Sequence, residues 1–213
     1  MNRNIFGTDD NIELYTEYGS KSVLNTYNST FNNYSMFSSS NHINTKEKIS
    51  ETDRIDAISV SDVAKWFLAK SSMTNKKLQK ICYYAYSWFL VFFNDAESIN
   101  LKGINKLFRT GFEAWIHGPV SKELYDIYKI YGWNDIPKHK QHRHFNDDVT
   151  DLFEQVWSVY GGFSADQLEN LTHNEVPWKE ARKGIEPDEP SNILIDDMII
   201  FRFYSKMMTN GEK

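Results

Sequence analysis

A chain of 213 residues is long enough for one well-buried domain, and its 40% hydrophobic and 15% aromatic residues supply ample apolar surface for a core. The net charge of -5, with basic residues scattered among acidic ones, argues against an extended phosphate-backbone footprint, so nucleic acid is not the expected partner. Cys82 is the only cysteine, which excludes an internal disulfide framework and a cysteine-rich metal site and fits a reducing cytoplasm.

The first residues lack the apolar stretch of a signal peptide. The most apolar run, Tyr83 to Phe93, falls short of the roughly 20 residues that span a bilayer. Residues 1–56 are dominated by Asn, Ser, Thr, Tyr and acidic side chains, and such sparse apolar content does not repay the entropy of ordering a core. This region reads as a long polar N-terminal extension, either flexible or ordered on a partner through Phe6, Tyr15, Tyr18, Tyr27, Phe31, Tyr34 and Phe37.

From residue 57 to 213 the pattern predicts a single compact all-α, multi-helix domain with room for one short extended segment. Ser61 is expected to cap a first helix through Lys70, with Val63, Trp66 and Phe67 inward. Thr74 should cap a longer helix whose stripe is Leu78, Ile81, Cys82, Ala85, Phe89 and Phe92, ended by Asn94-Asp95. Phe112 to Pro119 alternates before a Gly-Pro break; it should be extended and lead into a helix with Pro119 near its first position. That helix should face the core with Val120, Leu124, Ile127, Tyr128 and Tyr131 and close at Gly132.

After a polar connector, Asn146 is expected to cap a helix with Val149, Leu152, Phe153, Val156, Trp157 and Tyr160 inward, stopped by Gly161-Gly162. Ser164 to Gln167 is a capping-box pattern opening a short helix with Leu168 and Leu171. Pro177 starts another helical turn, Gly184 to Pro190 is a loop, and Asp196 can cap a last helix carrying Met198, Phe201 and Tyr204.

His139, His142 and His144 invite a metal reading, but Lys138, Lys140 and Arg143 oppose a divalent cation there, so no metal is expected. His117 and His173 lie at breaks in the helical pattern and have the chemistry of general acids or bases. No nucleophile motif, zinc-protease motif or phosphate-binding glycine loop accompanies them, so the expectation is a non-enzyme without cofactor, the two rings pinning turns. Tyr125, Tyr128, Tyr131 and Trp133 cluster more densely than one core face needs and are candidate partner contacts.

Four blocks in order carry a resemblance: Met73 to Trp88 (MTNKKLQKICYYAYSW), Phe112 to Val120 (FEAWIHGPV), Tyr160 to Leu168 (YGGFSADQL) and Leu171 to Arg182 (LTHNEVPWKEAR). Together they resemble the Panacea antitoxin domain, also described as GepA-like or SocA-like phage-associated proteins. The similarity runs from about Ile58 to Met208, and the N-terminal extension departs from the family's shortest form. Its signature falls on Leu78, Lys80, Tyr84, Trp115, His117, Gly118, Pro119, Thr172, His173, Pro177, Trp178 and Arg182, as fold determinants first and as part of a binding surface second.

The resemblance implies an antitoxin, of a kind tied to prophages, mobile elements and phage defence, that neutralises a cognate protein toxin by direct contact. The toxin would be encoded by an adjacent gene, and a homo-oligomer or higher-order toxin–antitoxin complex is compatible with this. Alternatives are a protease adaptor or phage-encoded regulator acting on a client, and an enzyme reversing the toxin's modification through His117 and His173.

Overall fold

The computed structural model describes residues 58–95, 99–100, 103–140 and 143–210, so the expected polar extension over residues 1–56, with its aromatic anchors, lies outside the described residues. Helix α1 (Val60–Lys70) is capped by Ser59, not Ser61: the Ser59 hydroxyl accepts from the Asp62 N–H while the Asp62 carboxylate accepts from the Ser59 N–H. Ser59 and Asp62 form the reciprocal capping box, whereas three residues beyond Ser61 stands Ala64, which offers no return bond.

A two-residue strand β1 (Met73–Thr74) leads into α2 (Asn75–Phe92), where the Thr74 hydroxyl accepts from the Lys77 N–H as expected. Helix α2 is the centre of the domain. The stripe expected from spacing is only part of its buried surface, because Tyr83, Tyr84, Tyr86 and Trp88 are buried as well, while Phe92 at the end is only partly covered. A helix buried all round needs neighbours on every side. Here they are α1, α4 (Asp147–Tyr160), α5 (Ala165–Asn174), α7 (Asp197–Asn210) and a β-hairpin.

That hairpin pairs β2 (Glu113–Trp115) with β3 (Gly118–Val120), in the register Glu113↔Val120, Ala114↔Pro119 and Trp115↔Gly118. The expectation of an extended segment is met, but Pro119 is a strand residue and not the first residue of a helix. Pro119 is tolerated in the strand because Ala114, opposite it, turns its N–H the other way, to the Ile193 carbonyl at 2.8 Å. Helix α3 (Lys122–Tyr128) begins two residues later, capped by the Ser121 hydroxyl, and runs into a 3₁₀ turn over Lys129–Tyr131. Gly132 closes it with φ +56, as the sequence predicts.

In α3 only Leu124 and Tyr128, one turn apart, are buried; Ile127, expected inward, falls to the side of that narrow face and is exposed. Strand β4 (Asp135–Ile136) then pairs antiparallel with β1, a contact the sequence did not announce. Helices α4 and α5 carry the expected Asn146 cap and the Ser164/Gln167 capping box. Helix α6 (Val176–Ala181) follows with Pro177 in its first turn, and Asp196 caps α7 through the Met198 and Ile199 N–H groups. The domain is mostly helical with a few short strands, and no helix among the described residues is long and apolar enough to cross a membrane.

Candidate functional site

The twelve signature positions converge on the hairpin and the helices that hold it. Leu78 is core on α2. Next to it Gln79 clamps the chain at the end of β3: its carboxamide oxygen accepts from the Ser121 N–H at 2.9 Å and its amide donates to the Ser121 carbonyl at 3.3 Å. One residue on, Lys80 is 1% exposed, and its Nζ donates to the Pro119 carbonyl at 3.1 Å. Burial pushes the Lys80 ammonium down to about 7; Glu169 partly offsets this and Lys76 adds to it.

Gly118 fits against this lysine as only glycine can. Its φ is +92, and a Cβ would stand 2.7 Å from both Lys80 Cε and Thr172 Oγ1. Thr172 is itself buried and donates to the Glu169 carbonyl at 2.9 Å within α5.

A second clamp closes the far side of the hairpin. The Trp178 indole donates to the Trp115 carbonyl at 3.0 Å, and its ring stacks on His173 with centroids 4.1 Å apart. Arg182 is 5% exposed and spreads its guanidinium over backbone oxygens: Nη1 donates to Ala114 at 3.1 Å, and Nη2 to Glu186 at 2.8 Å, Pro187 at 3.3 Å and Glu189 at 2.8 Å. Pro177 is buried at the start of α6, and Trp115 is half-buried, its indole donating to Glu113 at 2.7 Å.

Tyr84 sits under the α5–α6 junction, stacked on Tyr160 at 3.8 Å. Its hydroxyl donates to Glu175 Oε1 at 3.0 Å while Tyr204 donates to Oε2 at 2.7 Å. Burial pushes the Glu175 carboxyl up to about 8, and the two tyrosine bonds counter only part of that.

The two histidines differ in setting. The His117 side chain is 65% exposed at the hairpin turn, its Nδ1 2.8 Å from Glu169 Oε1. Glu169 also pairs with Lys76; burial raises its carboxyl, but the bonds to Lys76 and His117 win and hold it below the usual range. His173 lies in the last turn of α5, half-buried; burial lowers its pKa, opposed by Glu169 and by the Ile116 backbone, and its buried Nε2 has no hydrogen-bond partner among the described residues. The single thiol, Cys82, is buried in α2 and pushed well up by that burial, leaving it a core residue rather than a nucleophile.

The four aromatic residues proposed as partner contacts separate. Tyr128 is 7% exposed and belongs to the core, a correction forced by its place one turn after Leu124 on the inner face of α3. Tyr131 is half-buried and Tyr125 lies against the Trp115 ring at 4.9 Å. Trp133 stands free at 88% exposed, and the residue beside it in this role, Ile130 at 81%, was not singled out from the sequence.

Gln79, Ser121, Glu169 and Glu175 were missed too. Each is a polar residue within or beside a helical block and carries no spacing signal, since its partner is distant in the chain. Of the connector histidines, His142 lies outside the described residues and His139 Nδ1 is 2.8 Å from the Lys140 carbonyl.

No curated protein and no solved structure matches the chain. Residues 78–179, which run from the lysine-bearing helix through the hairpin to the Trp178 clamp, match the family described as Antitoxin SocA-like, Panacea domain. Over this span the chain is similar to the SocA-like Panacea antitoxins.

Proposed function

We propose that this protein is an antitoxin that neutralises a partner protein toxin, the product of an adjacent gene, by direct contact and without turnover, in the cytoplasm. The family match supports the toxin–antitoxin setting. The observation that carries the binding mode is the pair Ile130 and Trp133, 81% and 88% exposed on a short segment fixed at both ends. The 3₁₀ turn and Gly132 precede Trp133, the Asn134 N–H donates to the Tyr131 carbonyl at 2.9 Å, and β4 locks the next residues onto β1. Large apolar side chains held rigidly in water are the usual anchors of protein interfaces, because little ordering entropy is lost when they are covered.

The polar signature groups argue for scaffolding over catalysis. The Lys80 amine, the Arg182 guanidinium and the Glu175 carboxyl are buried on partners within the fold. The test is co-expression with the adjacent gene's product, comparing wild type, Ile130→Asp/Trp133→Asp and His117→Ala/His173→Ala. Growth rescue with a co-purifying complex, lost in the first variant alone, is the expected result. Rescue without a complex, lost in a folded histidine variant, would make the protein an enzyme; a fall in toxin amount instead of activity would make it an adaptor.

A further inference from the structure

The segment leading into α7 lies beside β2 as a third strand. The Ala114 N–H donates to the Ile193 carbonyl at 2.8 Å, the Ile195 N–H donates to the Phe112 carbonyl at 2.8 Å, and Glu113 faces Leu194 between them. In an antiparallel ladder these two bonds turn Ile193 and Ile195 toward β2, so the N–H and C=O groups of Asn192 and Leu194 point away from it. Among the described residues those four groups have no hydrogen-bond partner. Arg182 stops the ladder where its next bond would fall, taking the Ala114 carbonyl, while the Ser191 hydroxyl takes the Ile193 N–H.

The exposed edge is apolar along its length and acidic at its entrance. Ile193 is 48% and Leu194 63% exposed, although both are large aliphatic residues in extended backbone. Between Gly184 and Phe201 the sequence has five acidic residues, Glu186, Asp188, Glu189, Asp196 and Asp197, and no Lys or Arg. Asp196 caps α7 and Asp197 accepts from Tyr86 and pairs with Lys106, which leaves Glu186, Asp188 and Glu189, all exposed, to set the charge at the edge. Their loop is held in place by its own carbonyls on the Arg182 guanidinium, so the carboxylates are presented from a fixed backbone.

We propose that the Asn192–Leu194 edge binds an extended segment of a protein partner, added as a further strand, in which apolar residues alternate with lysine or arginine. Main-chain bonds to Asn192 and Leu194 supply the pairing, the more exposed Leu194 receives the apolar side chains, and Glu186, Asp188 and Glu189 select the basic ones, which alternate onto the other face. An unpaired edge of this kind either recruits a strand or is blunted by lysine and proline; here Pro190 lies before the open stretch and no lysine guards it. The inference rests on the reading that this protein works by binding another protein, and it adds a mode of contact separate from Ile130 and Trp133.

The experiment is amide hydrogen exchange on the full chain with a synthetic peptide of alternating Lys and Val, compared with one of alternating Glu and Val. Under saturating Lys-Val peptide the Asn192 and Leu194 amides should exchange at least roughly tenfold more slowly, and the Glu-Val peptide should leave them unchanged. Leu194→Pro removes the outward N–H without touching an internal bond and should abolish the protection. Glu186→Lys/Asp188→Lys/Glu189→Lys, whose side chains are exposed, should reverse the preference between the peptides. Unchanged exchange with both peptides, or protection that survives Leu194→Pro, overturns the inference. Growth rescue by wild type together with unprotected edge amides would overturn strand addition and leave the proposed function standing, so the two readings fail separately.

Discussion

Lys80 Nζ and the Pro119 carbonyl meet at 3.1 Å beneath Gly118, so a charged side chain of α2 and the backbone of β3 are locked at a point with no room for a Cβ. Gly118→Ala should therefore destabilise the domain by about 2–4 kcal/mol, combining left-handed strain with a clash against the buried Lys80 and Thr172. Urea unfolding of the two proteins measures it, and a change below the uncertainty of the method would mean that the hairpin shifts freely over α2.

Lys80 should also write itself into the pH dependence of stability. Burial lowers its pKa from 10.5 to about 7 in the folded state, so between those values the unfolded chain binds more protons and stability rises with pH. Below about 7 the penalty is fully present. Lys80→Met, of similar length and without the charge, should lack that rise; an unaltered slope between pH 7 and 10 would show that Lys80 is not the group responsible.

Glu175 predicts the opposite trend at lower pH. Its carboxyl is raised from 4.5 to about 8 on folding, so the folded chain binds more protons in that window and stability falls as pH rises through it. At neutral pH the neutral carboxyl is favoured, and Gln is close to isosteric with it, able to accept from one tyrosine and donate to the other. Glu175→Gln should thus fold normally at pH 7 and flatten the decline between pH 5 and 8. Glu175→Ala should lose about 1–3 kcal/mol by stranding the Tyr84 and Tyr204 hydroxyls. Thermal melts across the pH series separate the three proteins.

The sequence made the helix starts legible wherever a short-range signal exists. Thr74, Asn146, Ser164 and Asp196 cap where they should, because a cap is decided within four residues. The error at Ser59 and Ser61 has the same origin: both are serines two residues apart, and only the return bond from Asp62 distinguishes them. What stayed hidden is set by residues far apart in the chain. The β1–β4 pair joins Thr74 to Asp135, and Glu175 meets Tyr84 across the core, with no periodicity to announce either. The signature positions were readable as a set, but the clamp they build needed the hairpin register, which places Trp115 and Ala114 against Trp178 and Arg182.

Arg182→Lys tests whether that clamp depends on charge or on geometry. The guanidinium reaches four carbonyls on two separate segments, and a lysine ammonium lacks the planar fork to span them. The variant should lose about 2–4 kcal/mol, close to the loss from Arg182→Met. Amide exchange should quicken in residues 186–189 first, since they owe their position to Arg182. Equal stability of wild type and the lysine variant would reduce the contact to simple charge.

Exposure separates binding from folding most sharply between Trp133 and Tyr128, five residues apart yet 88% and 7% exposed. Trp133→Asp and Ile130→Asp should each change stability by no more than about 0.5 kcal/mol, because neither side chain packs in the core. Each should weaken toxin binding by about 2 kcal/mol or more, roughly thirtyfold, if these residues are the anchors of the interface. Tyr128→Ala should do the reverse, costing about 3–5 kcal/mol of stability by opening a core cavity. Titration calorimetry beside urea unfolding reads both quantities on the same proteins. Loss of binding in Tyr128→Ala at a temperature where it remains folded, with Trp133→Asp binding normally, would move the interface off this segment.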